Sequence, residues 1–265
     1  KIPAGLWRRR FGDSSKPRNN EPRERLATKH LHVGSNDFAE KRYNLYYKKQ
    51  RRPESPQPKE SAMCGHFILV PRDILDEIIR EIEIKNHVNV MPDWPARRID
   101  AYPKSTVPLI VPDAAGRLSA QEMQWGYPVP WKAGVVFNTR AETALGDKSR
   151  MWRDSLLNRR CIVPSFGFFE PHQSEKSLSP KTGKEIKRQY RFDMPDGGLS
   201  FMAAIYEEDH FSLMTTAPNA SVSPVHNRMP VVLLENELRT WLSDDFEKVF
   251  DRSALALIAQ PVLEP

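Results

Sequence analysis

The chain changes character between Ala62 and Met63. Residues 1–62 show no apolar periodicity, become rich in proline near their end, and carry 16 Lys and Arg against 7 Asp and Glu. Residues 63–265 carry 24 Lys and Arg against 27 Asp and Glu, so the basic pI of the whole chain comes from the first segment. Because a highly charged segment without an apolar pattern cannot bury a core, we predict a disordered basic leader over 1–62 and a single domain over 63–265.

From residue 63 onward, the sequence shows helical and strand periodicities. Three segments have helical periodicity: 71–84, 148–160 and 235–243. Short apolar runs predict strands, and a polar stretch predicts a loop over 172–187. The predicted strands are 106–111, 123–129, 161–164, 166–170, 189–194, 199–208 and 211–216. Many strands at hairpin spacing with few helices between them favour an α+β fold over a doubly wound sheet.

Several large classes of protein are excluded by what the sequence lacks. The two cysteines, Cys64 and Cys161, cannot form a disulfide framework, and with the scattered histidines they lack the short spacings of a zinc site. The chain contains neither a glycine-rich phosphate loop nor a G-x-S-x-G turn. No apolar run approaches a membrane span, and the first 30 residues lack the apolar core of a secretory signal. We therefore expect a soluble, intracellular protein without metal, cofactor or membrane partner.

A few polar residues stand in apolar or turn-like surroundings. They are Asn138, Arg140, Glu170 and His226. Each has an ordinary structural explanation when taken alone. Glu170 could be a solvated strand end, His226 a turn residue between prolines, and Arg140 one half of a surface ion pair with Glu142. Both cysteines could simply belong to the core.

Four sequence blocks, in order, carry a resemblance to a known family. They are MCG at 63–65, FNTRAET at 137–143, RRCIVPSFGFFEP at 159–171 and TTAPNASVSPVHNRMPVVL at 215–233. Together they resemble the SOS response-associated peptidase family, or SRAP domain, over 63–260. This family makes covalent crosslinks to abasic sites in single-stranded DNA. The resemblance implies one domain built on a curved, largely antiparallel, barrel-like β-sheet flanked by a few helices.

The resemblance also assigns residues. It implies a nucleophile at Cys64, supported by three further catalytic residues: Asn138, Glu170 and His226. It implies that five residues bind DNA: Arg140, Arg228, Thr216, Trp125 and His66, the last standing where the family often has an arginine. The expected partner is single-stranded DNA containing abasic sites, bound by a monomer. The expected location is the cytoplasm, at the nucleoid in a bacterium, or the nucleus in a eukaryote.

The chemistry of an abasic site explains why a cysteine would have to be the first residue. The ring-opened sugar offers an aldehyde, and an N-terminal cysteine offers an α-amine of pKa about 7.7–8.0 beside a thiol of pKa about 8.5. The amine forms a Schiff base, and the thiol then closes a five-membered thiazolidine. The nitrogen of an internal cysteine is an amide and cannot do this. The working form would therefore begin at Cys64, after cleavage of the leader or after removal of an initiating Met63, which we favour.

The other residues then have expected roles. At the end of an apolar strand, Glu170 would have a raised pKa suited to proton transfer, and His226 would promote ring opening by polarising the sugar oxygen. Asn138 would orient the N-terminus or the sugar. The two arginines would hold phosphates, and Trp125, Tyr127 and Trp131 are candidates for stacking on bases, although core packing explains them equally well. Two alternatives stay open: a thiol peptidase that removes its own leader, and a module that binds single strands without covalent chemistry.

Overall fold

The structure, a computed structural model, describes residues 64–85, 98–129, 134–146, 150–179 and 182–262. The predicted disordered leader over 1–62 and the stacking candidate Trp131 lie outside these residues. The helices are α1 (Arg72–Lys85), α2 (Ala141–Leu145), α3 (Arg150–Asn158) and α4 (Leu238–Leu242), with 3-10 helices at Glu235–Glu237 and Phe246–Val249. The three predicted helices are confirmed as α1, α3, and α4 with the 3-10 turn before it. The short α2 follows directly from a strand and was not predicted.

The strands have the following bounds. They are β1 (His66–Leu69), β2 (Asp100–Ala101), β3 (Thr106–Pro112), β4 (Leu118–Trp125), β5 (Tyr127–Pro128), β6 (Val135–Val136), β7 (Asn138–Arg140), β8 (Arg160–Leu178), β9 (Glu185–Asp193), β10 (Ser200–Glu207), β11 (His210–Thr216), β12 (Met229–Pro230), β13 (Val232–Leu233) and β14 (Ile258–Pro261). Twelve of them form one sheet, and β5 and β6 form a separate pair. The expected α+β class is confirmed.

The large sheet closes on itself. Strands β10, β11, β4, β3 and β8 are hydrogen-bonded in succession, and β10 pairs back with β8 to complete a ring of five strands. Pairing is antiparallel except where β11 runs parallel to β4 and to β7. Strands β1 and β9 also pair with β8, which is the longest described strand at 19 residues and has four partner strands. The residues of the candidate site lie on or beside this strand.

Side chains alternate between two apolar clusters, one on each face of the sheet. In β10, Phe201, Ala203 and Ile205 pack in a cluster that includes residues of α1, α3 and α4. Met202 and Ala204 pack in a second cluster, to which none of the described helices contributes. This alternation follows from the two-residue period of a β-strand. The first cluster is the helix-covered outer face of the ring, and the second is its interior.

The predicted loop over 172–187 is wrong for most of its length. Strand β8 continues to Leu178, and after a turn β9 begins at Glu185, so the segment is largely a two-stranded hairpin. The polar pattern favoured a loop because side chains are largely solvent-accessible over this part of the hairpin and no apolar alternation is needed. Backbone pairing between the two strands supplies the regular structure instead.

The predicted strand over 123–129 is interrupted at Gly126. This residue has a φ of +112°, and a Cβ atom there would lie 2.4 Å from Cγ2 of Val135. Only glycine adopts this conformation readily and permits this approach. The chain therefore leaves β4 after Trp125 and begins the short β5 in a new direction.

The helices of the described segments are all too short or too polar to cross a membrane.

Candidate active site

Cys64 lies two residues before β1, fully buried in the interior cluster of the ring. Its backbone nitrogen donates hydrogen bonds to both carboxylate oxygens of Glu170, over 3.0 Å to Oε1 and 2.9 Å to Oε2. The two residues are 106 positions apart in the sequence. Pairing between β1 and β8 joins them, since His66 faces Phe169 in the register of those strands. The fold thus places the nitrogen of Cys64 directly on a carboxylate.

A bulge in β8 turns Glu170 toward Cys64. Before the bulge, odd-numbered residues such as Cys161 and Val163 face the ring interior. After the bulge, even-numbered residues such as Phe168 face it instead. The register with β1 shifts at this point, and Gly167 there has a φ of +130°. A Cβ atom on Gly167 would lie 2.5 Å from Oδ1 of Asp193, so glycine is required. Without the extra residue, the carboxylate at position 170 would face the helices.

Burial sets the protonation of this pair. Glu170 is fully buried, and desolvation raises its pKa well above the ordinary range, against the smaller opposing effect of the hydrogen bond from Cys64. Burial also raises the pKa of the Cys64 thiol, and the negative charge of Glu170 raises it further. The thiol is therefore protonated at neutral pH, and the carboxylate is a stronger base than an exposed glutamate.

His226 is the third buried polar residue of the cluster. Its Nδ1 lies 3.6 Å from Oε2 of Glu170 and 3.1 Å from the carbonyl oxygen of Arg228. A turn holds the residue, because its backbone nitrogen donates to the carbonyl oxygen of Val222 over 2.9 Å. Burial lowers the pKa of His226, so the neutral imidazole predominates at pH 7. Its buried Nε2 has no hydrogen-bond partner among the described residues.

Asn138 contacts the same cysteine from another strand. Its Nδ2 donates to the carbonyl oxygen of Cys64 over 3.3 Å. Strand β7 carries it, and the parallel pairing of β7 with β11 sets Asn138 opposite Leu213. The four residues that the resemblance designates as catalytic, Cys64, Asn138, Glu170 and His226, are thus brought together by four separate segments.

The two predicted phosphate-binding arginines lie beside this cluster in different situations. Arg228 forms a bidentate ion pair with Glu142, with distances of 2.7 Å and 3.0 Å, and donates to the carbonyl oxygen of Thr215 over 2.9 Å. Arg140 is half-buried at the end of β7, opposite Thr215 in the register with β11. Arg228 therefore has its planar fork already aligned by a carboxylate.

His66 lies in an aromatic stack. Its ring is 4.0 Å from that of Phe169 and 4.6 Å from that of Tyr102, and it is nearly parallel to both. Its Nε2 is 2.7 Å from Oδ1 of Asp100, which also forms an ion pair with Arg98. Tyr102 is 51% exposed, so it offers an aromatic surface to solvent. Sequence reasoning did not single out Asp100 or Tyr102, because both lie in the segment 99–103, outside the four blocks that resemble the family.

Trp125 and Tyr127 are buried, whereas Thr216 is partly accessible. Trp125 is fully buried, and its Nε1 donates to the carbonyl oxygen of Phe137 over 2.9 Å. Tyr127 is also buried and stacks on Trp152. The predicted stacking of bases on these two rings does not fit this placement, because neither has an open face. Thr216 is half-buried, and its Oγ1 donates to the carbonyl oxygen of Phe250 over 3.1 Å.

Known proteins share both the sequence pattern and the fold. The abasic site processing protein YoqW of Bacillus subtilis is 29% identical over 213 residues, which cover 75% of this chain and 87% of YoqW. The abasic site processing protein YedK of Escherichia coli is 28% identical over 194 residues, covering 69% of this chain and 81% of YedK.

A crystal structure of a phage-related protein from Bordetella bronchiseptica shares the fold. Its TM-score is 0.55 at 18% identity, over 76% of this chain and 95% of that chain. A family model described as SOS response associated peptidase (SRAP) matches residues 63–264, which include every described residue of the domain. The chain belongs to the SRAP family.

Proposed function

We propose that this protein, with Cys64 as its first residue, forms a covalent thiazolidine with abasic sites in single-stranded DNA and so shields them. The names of the relatives support processing of abasic sites. The observation that carries the finer proposal is the contact of the Cys64 nitrogen with both oxygens of Glu170. In the mature form this nitrogen is an α-amine, and a carboxylate touching it can remove its proton.

The reaction proceeds in two steps that together release one water. The α-amine of Cys64 attacks the aldehyde carbon of the ring-opened sugar, and loss of water leaves a C=N bond. The thiol then adds to that carbon: a C–S bond forms, the C=N bond becomes a single bond, and the thiol proton ends on the nitrogen. Glu170 accepts the ammonium proton first and returns a proton to the departing hydroxide. Burial raises the pKa of Glu170, which makes its carboxylate a stronger base for this transfer than an exposed glutamate.

His226 and Asn138 orient the reactants in this proposal. The neutral imidazole of His226 lies against Glu170 and has a second nitrogen without a partner, which can donate or accept at the sugar. The lowered pKa favours polarising the ring oxygen by a hydrogen bond over full protonation. The amide of Asn138 holds the carbonyl of Cys64 and so fixes the direction of its amine and thiol.

The proposed DNA contacts keep both arginines and His66 from the expected set and replace Trp125. Arg228, aligned by Glu142, and the neighbouring Arg140 can receive phosphates at the rim of the site. For base stacking, Tyr102 takes the place of Trp125 because its ring is exposed and supported by His66. His66 then acts in DNA binding through this support. Stacking on a supported aromatic ring contributes about 1–3 kcal/mol per base.

The decisive experiment uses single-stranded DNA with one abasic site and protein produced from Met63, with removal of the methionine verified by intact mass. We expect a band that is retarded on a denaturing gel, with the mass of protein plus DNA minus one water. Cys64→Ala should abolish it. Cys161→Ala is the matched control, because Cys161 is equally buried in the same cluster and should leave the adduct intact. Absence of any adduct from protein with a verified N-terminal Cys64 would refute the proposal.

Self-processing is a second candidate, favoured by the same contact. In the longer chain, the nitrogen of Cys64 would be the leaving group if the Met63–Cys64 peptide bond were cleaved. Attack of the thiol on the preceding carbonyl, followed by water, would require a proton on that nitrogen, and protonated Glu170 is in place to supply it. Intact-mass measurement of the full chain over time tests this candidate. A leader that stays attached to the wild type rules it out.

The same gel addresses the non-covalent alternative. Reversible, salt-sensitive binding to single strands, without any species that survives denaturation, would make the protein a binding module rather than a crosslinking enzyme.

A further inference from the structure

The β8–β9 hairpin extends beyond the sheet as a two-stranded arm, which we define as residues 171–179 and 182–189. Strand β1 pairs with β8 only as far as Phe169, and β14 pairs with β9 only from Tyr190 onward. The carbonyl oxygen of Gln189 still accepts from the nitrogen of Val262 over 2.9 Å, and beyond it no third strand pairs with the arm in the described part of the chain. The turn is closed by hydrogen bonds from Ser179 to Lys184 and from Gly183 to Ser179, each of 2.8 Å.

The arm is basic in a domain that is slightly acidic overall. It contains four Lys and Arg against two glutamates, and both glutamates are paired. Glu185 lies 2.7 Å from Lys176, and Glu175 lies 3.6 Å from Arg188. Lys184 and Lys187 are exposed, and no described carboxylate pairs with either of them. The arm thus presents at least two lysines whose charge is not neutralised by any carboxylate of the described residues.

The base of the arm is fixed at the candidate active site. Strand β8 leads from Glu170 directly into the arm, and the backbone nitrogen of Gln173 donates to the carbonyl oxygen of Val225 over 2.9 Å, beside His226. Burial is the main cause of the lowered pKa of His226, and the positive charge of Lys187 lowers this pKa further. Glu170 faces Tyr190 and Leu178 faces Glu185, so along β9 this stretch of the arm spans about 17 Å. Phosphates that meet the outer arm therefore belong to nucleotides other than the abasic one.

We propose that the β8–β9 arm binds the phosphate backbone of the DNA strand flanking the abasic nucleotide, with Lys184 and Lys187 as its charge contacts. This inference rests on the proposed function for the position of the DNA. Lysines on a solvent-exposed ribbon read no base edges, so the contact is independent of sequence and gains affinity through release of counterions. The arm lengthens the bound strand beyond what the active site itself holds.

The test measures reversible binding of the full chain to single-stranded DNA without an abasic site, which separates it from the covalent chemistry. Lys184→Gln with Lys187→Gln should lower the slope of log affinity against log salt by about 1.4, since each lost phosphate contact on a single strand is worth about 0.7. The loss should appear with a 20-nucleotide strand and disappear with one of five nucleotides. The control, Arg80→Gln with Lys248→Gln, removes the same charge from exposed positions elsewhere and should keep the wild-type slope.

Three results would overturn the arm proposal. The arm variant could keep the wild-type slope on the long strand, or the control variant could lose as much slope as the arm variant. A variant that binds DNA normally but loses retention on polyglutamate would assign the arm to an acidic protein partner. Failure of the covalent proposal is seen separately, as a missing adduct on abasic DNA with the salt slopes as expected.

Discussion

Cys64 and Cys161 are both fully buried in the interior cluster of the same ring, yet their surroundings differ. Cys161 lies on β8 among apolar side chains, and burial alone raises the pKa of its thiol. Cys64 lies just before β1, and its nitrogen touches the carboxylate of Glu170 on β8. Burial therefore does not distinguish a structural cysteine from a candidate nucleophile. The distinguishing feature is a titratable group held against the cysteine by the fold.

The largest expected effect comes from removing that group. Glu170→Gln should slow crosslink formation by about 10²–10⁴-fold, because general acid–base catalysis contributes on that scale. The amide keeps the shape and can still accept one hydrogen bond from Cys64. Single-turnover kinetics with abasic single-stranded DNA measure the rate. Reversible binding to intact DNA should stay near the wild-type value, and a large loss of binding instead would give Glu170 a structural role.

A smaller effect on the crosslinking rate should follow from altering the bulge at Gly167, which lies on β8 between Cys161 and Glu170. Gly167→Ala places a side chain at a φ of +130° and into contact with Asp193. The strain costs about 1–3 kcal/mol, and a shift of Glu170 relative to Cys64 should slow crosslinking by about 10- to 100-fold. Thermal unfolding and single-turnover kinetics measure the two effects.

A matched glycine separates strain from position. Gly197 also has a positive φ, of +73°, but a Cβ atom there meets nothing within 4 Å. Gly197→Ala should therefore lower stability without affecting the crosslinking rate. Equal rate losses in both variants would show that the bulge does not position the carboxylate.

The sequence was sufficient for the candidate site but not for its surroundings. Cys64, Glu170 and His226 occur within blocks that resemble the family, so their meeting could be predicted although they are far apart in the chain. The bulge at Gly167, where the strand reverses which residues point into the ring, could not be predicted. Two apolar residues in succession, Phe168 and Phe169, give no sign of which one points inward. Only pairing with β1 decides this.

The arm and the exposed ring escaped prediction for a different physical reason. Strand β8 beyond Pro171 is largely solvent-accessible and carries no apolar period, so its strand character comes from pairing with β9 alone. Tyr102 stacks on His66 through a contact between β1 and the segment that follows β2. Base-stacking residues were expected among the tryptophans, but Trp125 is too large and apolar to remain outside a core that has room for it.

The smallest expected effect compares two glutamates through the pH dependence of stability. The folded-state pKa of Glu170 is raised by burial, so its contribution to stability is full below about pH 4.3 and is lost as pH rises through the folded pKa. In the full chain, where the Cys64 nitrogen is an uncharged peptide amide, Glu170→Gln should therefore be more stable than the wild type at pH 8, with a difference that vanishes toward pH 4. A rise of several degrees in Tm is expected, since about 1 kcal/mol corresponds to roughly 2–4 °C in a domain of this size.

Glu142 should show the opposite sign and serves as the control for that comparison. Burial is the largest single effect on the pKa of Glu142 and raises it, but the hydrogen bonds from Arg228, a backbone hydrogen bond and the charges of Arg228 and Arg140 together lower the pKa. The ionised Glu142 carboxylate therefore contributes fully to stability above its pKa in the unfolded state, and this contribution is lost as pH falls through its pKa in the folded state. Glu142→Gln should thus be slightly less stable than the wild type at pH 8, with a difference that narrows below pH 4. Thermal unfolding of the three proteins from pH 3 to pH 8 decides both signs. A Glu170→Gln variant that melts below the wild type at pH 8 would mean that the buried carboxylate stabilises the fold.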